Sequence, residues 1–140
     1  MMGAARMSVD DVLQRAGALR MAVDAACRGH GTKADWMLVF DAVNMTEQWA
    51  RTGLVSGQDS IEELQAHILA ALDRKRLNGT TGLTVDERVA LAAFACDYAS
   101  ILSAVSNRDY FDAQRAVESR VRRVLSGERM PAGVHVVEAA

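Results

Sequence analysis

With 140 residues, 16 basic and 18 acidic side chains and a formal net charge of -2, the chain is long enough to bury a core without disulfide or metal staples. Half of its residues are hydrophobic and 24% are charged, a balance that excludes a wholly disordered chain. The near-neutral total disfavours a dedicated nucleic-acid binder, which carries a basic excess on one face. No apolar run reaches the roughly 18 residues of a membrane span, and the N-terminus, MMGAARMSVDD, lacks the apolar stretch of a signal peptide. The expectation is a cytoplasmic protein with no membrane contact: one domain over residues 1–127 and a C-terminal tail over 128–140. Alanine is abundant, β-branched residues never alternate for long, and the single proline, Pro131, lies near the end. The fold class that follows is all-α, a compact bundle of about five helices.

Residues 1–7 read as a loose leader. Ser8 followed by Asp11 resembles a capping box, and Val9, Val12, Leu13, Ala16, Leu19, Val23 and Ala26 then step by three and four, the stripe of an amphipathic helix ending near Arg28. Arg28-Gly29-His30-Gly31-Thr32-Lys33 follows. Gly29 suits the left-handed position that closes a helix, and Thr32 with Asp35 caps the next one. A phosphate-binding loop is the sharper alternative, because glycine amides beside a helix N-terminus attract anions. The spacing of the glycines and the lack of a preceding strand disfavour it.

The second helix, from Asp35 to about Thr52, carries both tryptophans. Trp36, Val39, Phe40 and Val43 line one side and Leu38, Ala42, Met45 and Trp49 another, so its apolar surface covers more than half of its circumference. Asp41, Asn44 and Gln48, at i, i+3 and i+7, gather into one polar strip. That strip is a solvent-facing edge, a cap for a neighbouring helix end, or the wall of a binding groove or oligomer contact.

A third helix begins near Ser60, buries Ile61, Leu64, Ile68 and Leu72, and sets Arg74, Lys75 and Arg76 in its last turn, where positive charge is favoured. His67 falls between Glu63 and Arg74 on the face away from the apolar line and reads as a surface residue. Thr84 with Glu87 caps a fourth helix running to about Val105. It is again nearly all apolar: Val89, Ala92, Cys96 and Ala99 on one side, Leu91, Phe94, Tyr98, Leu102 and Val105 on the other. Ser106 with Asp109 marks a break, and the fifth helix has a stripe of Tyr110, Ala113, Val117, Val121 and Val124, with arginines mostly opposite, ending at Gly127.

Few residues are arranged for chemistry. His30, His67 and His135 lie in three separate elements, so no metal site and no cofactor are expected. Cys27 and Cys96 read as reduced, buried thiols of a cytosolic protein. Asp41 and Asp97 are the carboxylates with the best claim to partial burial. No catalytic group is assigned, and the chain is expected not to be an enzyme. The candidate interaction or pocket residues are Asp41, Asn44 and Gln48; Arg115, Arg122 and Arg123 form the candidate face for the alternative, a nucleic-acid-binding regulator.

The run Arg28-Gly29-His30-Gly31-Thr32, followed by Trp36 and by Asp41-Ala42-Val43-Asn44, resembles a pattern in small uncharacterised helical proteins of proteobacterial genomes, often phage- or plasmid-associated. The resemblance covers the first half of the chain by residues and the second half by helix order. It implies a shared structural unit and no known activity. Two nearly all-apolar helices exceed what one small bundle hides, so a homodimer is expected, acting as a non-enzymatic interaction or accessory protein with a further, unknown protein partner and a regulatory role.

Overall fold

The computed structural model describes residues 5–78 and 82–125. Five helices make up nearly all of them: α1 (Val9–Cys27), α2 (Lys33–Arg51), α3 (Gln58–Asn78), α4 (Val85–Ser103) and α5 (Asn107–Leu125). The expected tail at 128–140, with Pro131 and His135, lies outside the described residues. Among the described residues no helix is long and apolar enough to cross a membrane.

The helix ends follow from local chemistry. Thr32 and Thr84 each form a reciprocal capping box, with Asp35 and Glu87 respectively. Ser106 does the same with Asp109, the two hydrogen bonds measuring 3.0 and 3.1 Å, so α4 and α5 are separate helices. Ser8 accepts from the Asp11 amide at 3.1 Å. At the other end of α1, Gly29 takes a φ of 79°, which lets the His30 amide reach back to the Ala25 carbonyl at 2.8 Å. Gly53, at a φ of 80°, closes α2 in the same way: the Leu54 amide donates to the Trp49 carbonyl at 2.9 Å.

The packing forms a ring in which α1 touches α2 and α4, and α3 touches the same two helices. α2 and α4, the two greasy helices, therefore sit on a diagonal, separated by α1 and α3, instead of packing directly on each other. α5 lies against α2, so α2 is flanked by three helices and α4 by two. The core reflects this: Val39, Phe40, Ala42, Val43, Met45 and Trp49 of α2 are all buried, together with Leu19, Val23, Ile68, Leu91 and Leu102 from around the ring. Each large side chain of this kind contributes about 1.5–3 kcal/mol by leaving water. The Trp49 indole also donates to the Asp109 carbonyl at 3.2 Å, tying α2 to the start of α5.

Several expectations need correcting. The leader is not loose over its described part: Met7 is buried, the Asn107 amide donates to the Ala5 carbonyl at 3.0 Å, and Arg6 reaches the Ser103 carbonyl at 2.8 Å, so residues 5–7 strap the α4–α5 junction. Val9 and Leu13, counted into the core stripe of α1, face solvent; Ala22 takes a place there instead. Leu38 is exposed, as are Val89, Ala92 and Cys96, three of the four residues on one side of the α4 pattern; the fourth, Ala99, is half-buried against the core. The thiols are not buried: Cys27 is half-buried and Cys96 exposed.

Candidate functional site

The polar strip of α2 does not act as a unit. Asn44 is buried, and its side-chain oxygen accepts a 3.2 Å hydrogen bond from the Gln65 amide of α3. That bond is to a mid-helix side chain of α3. Gln48 is half-buried. Asp41 alone of the three lines a cavity.

That cavity, of about 450 Å³, opens between α1, α2 and α5. Leu19, Leu38, Ala42, Met45 and Val117 give it apolar walls, while Asp11, Arg15, Asp41, Gln114 and Glu118 supply polar groups and Tyr98 reaches it from α4. Burial at this wall, reinforced by the like charge of Glu118, pushes the Asp41 carboxyl above the ordinary aspartate range. The Arg15 guanidinium lies 3.9 Å from the centre of the Tyr110 ring, a cation–π contact, and donates to the Met7 sulfur at 3.4 Å. A second cavity, also of about 450 Å³, lies between α3 and α4, where Ser60, His67, Phe94, Asp97 and Ile101 are among its lining. His67 is half-buried there, not on an open face, and Asp97 is exposed at the groove instead of partly buried.

Next to Asn44 the structure places a charged group that sequence reasoning passed over. Glu47 is fully buried in α2, with Arg51 at 2.8 Å and Arg120 of α5 at 3.7 Å. Burial raises the Glu47 carboxyl, against the pull of both arginines, and the same burial lowers Arg120. One basic residue of α5 therefore turns inward as structure. The signal was present: an i, i+4 Glu47–Arg51 pair on a largely apolar helix, where an unpaired charge would be costly.

Of the candidate nucleic-acid face, Arg115 pairs with Asp112, which also draws Arg108 to 3.8 Å, while Arg122 and Arg123 stand exposed in the last turn of α5. Arg74, the first of the basic triplet, makes a two-pronged ion pair with Glu87 and holds that carboxyl below its usual range. Arg74 thus links α3 to the cap of α4.

The glycine loop before α2 is a packing device. A side chain at Gly31 would stand 2.9 Å from the Trp36 indole nitrogen and 3.1 Å from the Ala26 Cα. The amide and hydroxyl of Thr32 both donate to the Asp35 carboxylate, at 2.9 and 3.0 Å, so the chain's own acid occupies the place an anion would take. Among the described residues no three His, Cys, Asp or Glu side chains converge as metal ligands.

The outer side of α1 and α4 is the other notable surface. Leu13, Gly17 and Met21 repeat every four residues on α1, and Val85, Val89, Ala92 and Cys96 recur by four and three on α4. Leu13 is 61% exposed, Met21 76%, Val85 63% and Val89 62%, on two helices packed directly together. Comparison of the chain with known protein families, with known proteins and with solved structures gives no match in any of the three.

Proposed function

We propose that the protein is a non-enzymatic interaction protein that pairs with a second copy of itself through the outer face of α1 and α4. The observation that supports this reading is the set of exposed apolar side chains on two helices packed directly together, Leu13 and Met21 on α1 and Val85 and Val89 on α4. Apolar surface gathered in this way marks a contact site. Gly17, Ala92 and Cys96, interspersed among these side chains, are small enough for helices of two chains to approach closely. Arg20, Asp24 and Arg88 are exposed on the same two helices and bring both signs of charge, so a two-fold arrangement can set acid against base. A regulatory or accessory role, and an origin in a mobile element, belong to the same reading. The nucleic-acid alternative has less behind it, because Arg115 is engaged by Asp112 and Arg120 by Glu47.

Sedimentation velocity over a range of protein concentrations tests the pairing. A reversible dimer is expected, with Val89→Asp and Leu13→Asp shifting it to monomer while the helical content stays unchanged. A chain that is monomeric throughout, or a dimer indifferent to both substitutions, overturns the proposal.

A further inference from the structure

The cavity between α1, α2 and α5 brings together four polar groups, Arg15, Asp41, Tyr98 and Glu118. Tyr98 is only 4% exposed, yet its hydroxyl makes no hydrogen bond among the described residues. Tyr98 lines this cavity together with Tyr110, Arg15 and Asp41. Arg15 is held flat against Tyr110 and bonds only the Met7 sulfur, without an ion pair among the described residues. The remaining edge of its guanidinium is a preformed fork for a carboxylate. Asp41 and Glu118 repel each other across the same space, and neither has a basic partner there.

These groups are of both signs, and this restricts the ligand. An anion attracted to Arg15 meets Asp41 and Glu118; a simple cation attracted to the carboxylates meets Arg15. We propose that the cavity binds a small zwitterion of the free amino-acid class, with its carboxylate on Arg15 and the Tyr98 hydroxyl and its ammonium between Asp41 and Glu118. The volume of about 450 Å³ falls within the range of small-molecule pockets, and the walls at Leu19, Met45 and Val117 suit an apolar side chain. The site is built without the outer face of α1 and α4, so it stands or falls independently of the pairing proposed above.

Isothermal titration of the full chain with the individual free amino acids tests this. Each is accompanied by its decarboxylated amine and its N-acetylated form. Saturable binding of at least one amino acid is expected, weakened about tenfold or more by Arg15→Gln and by Asp41→Asn, as for loss of a charge-assisted hydrogen bond. Tyr98→Phe should weaken it less. The amine and the N-acetylated form should each bind at least about tenfold more weakly than the parent. Asp41→Asn keeps the shape of the side chain, so this variant keeps the fold even where Arg15→Gln disturbs the contact with Tyr110. No binding by any amino acid at millimolar concentration, binding unchanged in Asp41→Asn, or an amine that binds as tightly as its parent would overturn the proposal.

Discussion

The two apolar helices, α2 and α4, look interchangeable in sequence and end in different surroundings. α2 has neighbours on three sides, and its apolar positions are almost all covered; even its polar residues Asn44 and Glu47 are drawn inside and given partners. α4 has two neighbours, buries Leu91, Phe94, Tyr98 and Leu102, and leaves Val85, Val89, Ala92 and Cys96 to solvent. The difference is one helix, α5, which covers α2 and not α4. Apolar circumference in a sequence thus reports how much surface must be hidden, while the position in the bundle decides whether the chain hides it alone. In α2 the fold completes the burial; in α4 it leaves one side open, the side proposed above as a contact between two copies.

The comparison can be broken at its most expensive point. Glu47→Ala removes the buried acid that faces Arg51 and Arg120 and takes its charge away from Arg120 next to the core. We expect a loss of about 3–5 kcal/mol in urea denaturation, the usual cost of halving a buried ion pair. A loss below about 1 kcal/mol, the scale of a surface pair, would show that α2 is not the closed helix described here.

A smaller effect is expected from pH. The Asp41 carboxyl is raised by burial and by Glu118, so the folded chain holds this proton more tightly than the unfolded one. The resulting stability is fully present below the ordinary aspartate value near about 4, and is lost as pH rises through the higher folded value. Glu87 works in the opposite sense: its carboxyl is lowered by Arg74, so its contribution is present above the ordinary glutamate value and is lost as pH falls through the folded one. Melting temperatures measured across this acidic window should therefore fall less steeply toward neutral pH in Asp41→Asn than in the parent. Parallel curves would show that the two carboxylates do not interact across the cavity.

The smallest change in folding stability is expected on the open side of α4. Val89→Ser should alter the unfolding free energy of the dilute chain by no more than about 0.5 kcal/mol, because its side chain already faces water. A loss of more than 1 kcal/mol, as for a buried valine, would close the gap between the two helices.

Much of this architecture was legible in the residues. Thr32 with Asp35, Thr84 with Glu87, and Gly29 and Gly53 mark their helix ends through bonds made within a few residues, so short-range chemistry suffices. What depended on distant neighbours was not legible. The apolar periodicity of α4 could not say which of its two sides would find α1 and α3, and Leu13 could not be told from Leu19. The candidate strip divided for the same reason: Asp41, Asn44 and Gln48 share a face of α2, but whether that face meets a cavity or Gln65 depends on where α3 and α5 come to lie. Tyr98 and Arg15 came from helices that only the fold brings together, and no spacing in the sequence links them.

The central claim is that the uncovered side of α4 is a contact between two copies, and Cys96 provides the probe for it. The thiol is exposed, in line with Val89 and Ala92, and helices packed across an interface stand about 8–10 Å apart. In a Cys27→Ala background, leaving Cys96 as the sole cysteine, a short bismaleimide crosslinker should join two chains in high yield, and the added Val89→Asp substitution should abolish the product. Failure to crosslink at concentrations where the chain sediments as a dimer, or equal crosslinking in the Val89→Asp variant, would contradict the account.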